Sequence, residues 1–324
     1  MKNILLFFCF FTLNASIAQK PVPVIFDTDI APDYDDVGAI ALLHALEDKG
    51  EAKILATMSC NTFETTAPTL SVFNTYFKRP DIPIGVTKAK LPNEKCSQEW
   101  AQAIIQKYPH SLSSNDQAED ATVLYRKILA AQPDKSVTII TVGFFTNLAN
   151  LLDSEGDKYS PLNGKDLAKK KVKQLVSMAS GISKDGVSGR EFNVFTDAPA
   201  SKKVFREWPT PTILSGFEIG RIILTGIPLI NNASIQNSPV KDAFEIALTK
   251  GKETAGHPSW DQTAVLAAVR GLEPWFKYRK LNFEIKDDGT NAIISGKKFD
   301  YIEFKQTPKE ISAAIEALMM HQPK

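Results

Sequence analysis

Five carboxylates fall within ten residues in the stretch Asp27-Thr28-Asp29-Ile30-Ala31-Pro32-Asp33-Tyr34-Asp35-Asp36. Crowded like charges raise one another's pKa unless a cation neutralises them, and an oxygen-only cluster suits a hard ion such as Ca2+ or Mg2+. Helix capping and a polar loop would account for one or two of these carboxylates, not for five beside a hydrophobic run. An EF-hand loop starting at Asp27 needs an acidic or amide residue at its fifth position and Gly at its sixth. Ala31 and Pro32 stand there, which excludes it.

The elements around the cluster say where it sits. Val22 to Phe26 is a short apolar run fit for a buried parallel strand. Residues 35–48 then carry apolar side chains at helical spacing, with Gly50 as a stop. The acids therefore lie beyond the carboxyl end of a strand, where ligands bind in open α/β sheets. Asp27 and Asp29 point to the same side if the strand continues that far, and Asp35 and Asp36 open a helix, where the dipole favours anions.

Further strands are expected at 53–59, 83–86, 136–142 and 174–179, with helices near 66–77, 97–107, 118–132, 146–152 and 197–207. That alternation predicts an α/β fold with a mostly parallel central sheet and helices on both faces. Residues 281–285 and 292–294, joined through Asp287-Asp288-Gly289, read as a C-terminal β-hairpin, and residues 307–320 as a closing helix. No linker divides the chain, so residues 19–324 are expected to form a single domain.

The chain has 324 residues, 43% hydrophobic and 23% charged, with 38 Lys and Arg against 37 Asp and Glu. Its first residues read as a secretory signal: Lys2, an apolar run over 4–11, and Ser16-Ile17-Ala18 ahead of a cleavage point after residue 18. Removing residues 1–18 takes one Lys and leaves 37 charges of each sign. A neutral mature chain without a basic stretch lacks the footprint of a nucleic-acid binder. It is expected to be periplasmic or secreted, with no membrane segment once the signal is cleaved. Whether it forms a homo-oligomer is left open. Cys60 and Cys96 could pair or remain free thiols, and with only four histidines in the chain a multi-histidine metal site is not expected.

A strand ending in Asp-x-Asp, a short loop, and Asp-Asp opening a helix resembles the inosine–uridine-preferring nucleoside hydrolase family, although five residues rather than three separate Asp29 from Asp35. The resemblance continues in order through Met58-Ser59-Cys60-Asn61, Thr141 to Ala149, Glu191 to Ala200, and Trp260-Asp261-Gln262-Thr263-Ala264-Val265. It implies hydrolysis of a ribonucleoside's N-glycosidic bond to ribose and free base, as in purine and pyrimidine salvage. It implies a Ca2+ held by Asp29, Asp36, Asp261 and the carbonyl of Val142, with Asp27 supporting the metal loop. Asp29 would be the general base, and Asp35, Asn61, Glu191 and Asn193 would bind ribose. The family's proton-donating His immediately before the last metal Asp is Trp260 here. Trp260 and the nearby His257 are therefore the candidates for leaving-group assistance.

Two other readings compete. Asp27-Thr28-Asp29-Ile30 also fits the opening of a haloacid-dehalogenase-type Mg2+ phosphatase with Asp27 as nucleophile, although Ala31 departs from that pattern. The same carboxylates could also serve an exported, non-catalytic Ca2+-dependent binding protein for nucleosides or sugars.

Overall fold

The computed structural model of the chain describes residues 20–182 and 189–323; the expected signal segment and residues 183–188 lie outside them. The strands are β1 (Val22–Thr28), β2 (Ala52–Ser59), β3 (Ile84–Val86), β4 (Glu119–Asp120), β5 (Val137–Thr141), β6 (Val172–Met178), β7 (Thr212–Ser215), β8 (Leu224–Thr225), β9 (His257–Pro258), β10 (Phe276–Ile285) and β11 (Asn291–Phe304). A nine-stranded sheet runs in the order β10-β11-β7-β6-β5-β1-β2-β3-β4, while β8 and β9 pair separately as a small antiparallel ribbon. Within the large sheet only the β10–β11 pair is antiparallel.

Alternation along the buried strands explains the layers. Val24 and Phe26 of β1 and Ile140 of β5 pack into one core, and Ile25, Val137 and Ile139 into the other. Each strand is thus apolar on both faces, as a parallel sheet covered by helices on both sides requires. The chain leaves β1 toward β2, β3 and β4 in one direction and returns through β5, β6 and β7 in the other. The strand order therefore reverses between β1 and β5, and a crevice opens there beyond the carboxyl ends.

Several elements differ from the sequence expectation. The helix expected from 118 begins at Ala121, because Asp120 caps it by accepting from the Val123 N–H and Glu119–Asp120 pairs with β3. β7 spans four residues after Pro209 and Pro211, too short to register as a periodic pattern. The hairpin strands run far beyond 281–285 and 292–294, since residues 277–280 of β10 face solvent and are charged or polar. Its Asp-Gly turn is as expected, with Gly289 at φ +81°. Cys60 and Cys96 are buried free thiols. No helix among the described residues is long and apolar enough to cross a membrane.

The sheet brings β5 so close to the acidic loop that residue 143 has no room for a side chain. A Cβ on Gly143 would lie 2.4 Å from the Asp29 backbone nitrogen and 2.8 Å from both Asp29 Cβ and Cys60 Sγ. Asp29 and Cys60 are both buried just past the ends of β1 and β2, so Gly143→Ala should cost about 1–3 kcal/mol, as overpacking of a filled interior does. Urea denaturation measures this; an unchanged unfolding free energy would mean the loop gives way freely.

Candidate functional site

β1 ends at Thr28, and the chain then turns so that Asp27 and Asp29 diverge instead of sharing a side. Asp27 points beneath the sheet's end, where its carboxylate accepts from Tyr125 Oη at 2.8 Å and Asn147 Nδ2 at 3.0 Å. Burial pushes its pKa up to about 7 against those two donors. Asp29 instead lines a cavity of about 300 Å3 with Asp33, Asp35, Asp36, Val142 and Asp261.

The helix Asp35–Asp48 starts immediately after Tyr34, placing Asp35 and Asp36 in its first turn. Asp261 lies in the first turn of the helix Trp260–Arg270 rather than capping it; Ser259 is the N-cap residue. Two helix N-termini thus converge on the crevice, and both favour negative charge. Single carboxylate oxygens of Asp35, Asp36 and Asp261 lie within 4.8 Å of one another, and the Asp261 N–H donates to Asp35 Oδ2 at 3.1 Å. Thr28 Oγ1 donates to Asp36.

Burial, reinforced by neighbouring carboxylates, pushes Asp29, Asp35 and Asp261 well above the usual carboxylate range. Burial takes Asp36 to about 7 despite the Thr28 hydrogen bond. Among the described residues, no Lys or Arg lines the cavity. An all-oxygen donor set, nearly solvent-free and short of positive charge, fits a hard divalent cation.

Opposite the acids, Glu191 caps the short helix Phe192–Thr196. Its Oε1 accepts from the Asn193 N–H at 2.8 Å, and its Oε2 from the Ser180 and Val194 N–H groups at 3.1 and 3.2 Å. Burial still raises its pKa to about 7. Asn193 Nδ2 donates to the carbonyls of Val142 at 3.1 Å and Met178 at 3.2 Å. Phe192, Phe217 and Trp260 add an apolar wall. Trp260 stacks on Phe217 with centroids 5.3 Å apart, and its Nε1–H donates to the Phe217 carbonyl at 2.8 Å.

Asn61 does not line the cavity. Its side chain donates to the carbonyls of Asp29 at 2.9 Å and Glu94 at 2.8 Å and accepts from the Phe63 and Glu94 N–H groups, so it fastens the loop bearing Asp29 from behind. His257 is also outside the lining. Its Nε2 is 2.8 Å from Asp33 and its Nδ1 is 2.7 Å from Glu253. Burial acts to lower its pKa, but these two carboxylates outweigh it and hold the imidazole up at about 10.

Other residues acting here carry no local sequence signal. Asn291, from the C-terminal hairpin, donates to the Gly181 carbonyl at 2.9 Å and accepts from its N–H at 3.3 Å. Tyr301 donates to Glu218 at 2.7 Å, and Glu218 also accepts from the Ile182 N–H. These contacts hold Gly181 and Ile182, just beyond the end of β6. Only the Asp-Gly turn hinted that a hairpin existed to supply them.

Comparison with known proteins follows the same outline. The family model described as inosine-uridine preferring nucleoside hydrolase matches residues 24–316. The pyrimidine-specific ribonucleoside hydrolase RihA of Salmonella paratyphi B is 27% identical over 214 residues, covering 61% of each chain. The aligned part is thus under two thirds of that relative's length. Among solved structures, an inosine-guanosine nucleoside hydrolase (IG-NH) superposes with TM-score 0.70 at 19% identity, covering 93% of this chain and 99% of that one. The inosine-uridine preferring nucleoside hydrolase of Bacillus anthracis gives TM-score 0.69 at 16% identity, with 92% and 99% covered. At such identities these two likenesses establish the fold.

The raised carboxyl pKa values set a pH signature for the metal-free protein. An acid whose folded pKa lies above its unfolded value binds more protons in the folded state between the two, so stability falls as pH rises through that window. For Asp27, Asp36 and Glu191 the window runs from the ordinary carboxylate value to about 7. In chelator the melting temperature should drop between pH 5 and pH 7.5, and saturating Ca2+ should remove the part contributed by Asp36 and its neighbours in the cavity, leaving the part due to the burial of Asp27 and Glu191. A flat chelated profile would contradict the repulsive cluster.

Proposed function

Since the chain belongs to the inosine-uridine preferring nucleoside hydrolase family, we propose that it hydrolyses the N-glycosidic bond of ribonucleosides, or of a related N-ribosyl compound, in a Ca2+-dependent reaction. The observation that carries this reading is the convergence of Asp29, Asp35, Asp36 and Asp261 on one cavity, faced by Glu191 and Asn193. The N-terminal segment supports an exported protein acting in the periplasm or outside the cell.

Asp29, Asp36, Asp261 and the Val142 carbonyl are the groups that would hold the ion. When bound, it would supply positive charge that orients water and vicinal hydroxyls. Asp29 takes the proton from the attacking water, a general-base role that typically contributes about 10²–10⁴ in rate. Asp35 accepts from a ribose hydroxyl. Glu191, locked by three backbone N–H groups, presents fixed acceptors to the sugar, and Asn193 is held beside it by the Val142 and Met178 carbonyls. This fixed cradle holds the sugar near its attack geometry.

On the leaving side, the Trp260 N–H is spent on the Phe217 carbonyl, so Trp260 contributes its ring rather than a proton. A stacked base is worth about 0.5–1.5 kcal/mol beyond burial, which favours purines modestly. The phosphatase reading finds no support in the geometry, because both oxygens of Asp27 are engaged below the cavity.

The direct test incubates the mature protein with a panel of nucleosides, with and without Ca2+, and measures released ribose. Ca2+-dependent release is expected; saturable binding without release would instead mark a binding protein. Asp29→Asn should lower kcat by at least about 10²-fold while changing KM little. Trp260→Ala should cut purine turnover far more than ribose affinity, and equal losses on purine and pyrimidine nucleosides would refute base stacking.

A further inference from the structure

The loop from Asp29 to Asp35 must fold inward although it brings carboxylates together. Ile30, Ala31 and Tyr34 are fully buried in the core and Asn61 holds the root of the loop at Asp29, while Pro32 and Asp33 form part of the cavity rim. The rim end of the loop is held by a segment remote in sequence. His257 stacks flat on Tyr34, with ring centroids 3.9 Å apart and 27° between planes, and Tyr34 meets Phe244 edge-on at 5.1 Å. Both imidazole nitrogens lie beside carboxylates: Nδ1 hydrogen-bonds Glu253 at 2.7 Å, and the buried Nε2 is in ion-pair contact with Asp33 at 2.8 Å without hydrogen-bond alignment. The backbone at His257 is itself fixed by pairing with Thr225 in the β8–β9 ribbon. Asp261 follows four residues later.

We propose that Asp33, His257 and Glu253 form a strap that fixes the acidic loop against the segment carrying Asp261, making His257 a positioning residue and not the proton donor to the leaving base. The geometry supports this in two ways. An acid must reach the nitrogen or oxygen it protonates, yet neither His257 nitrogen faces the cavity free of a carboxylate partner. The strap also joins the two chain segments whose carboxylates must stay in register, which the sheet alone does not tie together. The kinetic part of this proposal rests on the riboside-hydrolase reading; the structural part does not.

The test uses His257→Gln, Asp33→Asn and the double variant, with a purine nucleoside and p-nitrophenyl riboside as substrates. The nitrophenolate leaves without needing a proton. A strap predicts melting-temperature losses that do not add in the double variant, as expected for residues in contact. It also predicts kcat/KM losses of about tenfold or more that are equal on both substrates, since misplacement affects every substrate alike. Loss of about 10²-fold or more on the nucleoside with the nitrophenyl riboside spared would overturn the proposal and make His257 the acid. Additive melting shifts would overturn it as well. If the wild type cleaves neither riboside, the functional reading falls, and the melting-temperature cycle still decides the strap. Should His257→Gln fail to fold, Asp33→Asn, Glu253→Gln and their double variant carry the same comparison.

Discussion

Everything in this molecule must accommodate the burial of mutually repelling carboxylates. Asp29, Asp35, Asp36 and Asp261 are each no more than 4% exposed, and a buried charge is costly unless paired or hydrogen-bonded. The fold moderates that cost without cancelling it. Two helix N-termini aim their dipoles at the cluster, Thr28 donates to Asp36, and a backbone N–H of one helix donates to the first acid of the other. The remaining deficit of positive charge is what makes the crevice receptive to a divalent cation.

Holding the cluster together demands rigidity from parts of the chain remote in sequence. The central strands supply it by being apolar on both faces, so that β1 and β5 are clamped between two cores. From behind, Asn61 and the Asp27–Tyr125–Asn147 network secure the root of the acidic loop. From the side, the C-terminal hairpin reaches Gly181 and Ile182 through Asn291, Tyr301 and Glu218. The cavity therefore combines a charged wall that would expand if freed with an opposite wall of Glu191, Asn193 and aromatic rings that is tied down by backbone hydrogen bonds. That asymmetry suits a sugar held by polar contacts on one side and a base lying against rings on the other.

The sequence by itself determined the parallel α/β sheet, because β-branched and apolar runs such as residues 136–142 alternate with helical spacing. It also determined that acids gather beyond β1, because five carboxylates beside a buried strand exceed what capping needs. These are local properties, and they survive folding intact. It did not determine which of the acids face the cavity. Period-two reasoning puts Asp27 and Asp29 on one side, but β1 stops at Thr28, and the turn that follows sends Asp27 to Tyr125 and Asn147 and Asp29 to the site. Only the tertiary structure could show that Asn61 bonds the Asp29 carbonyl and that His257 lies against Asp33, since these partners are 32 and 224 residues away. It alone revealed Phe217 on the cavity wall and Asn291 bracing Gly181. Hydrogen-bond partners and cavity walls are chosen by chain crossings, and no local pattern encodes a crossing.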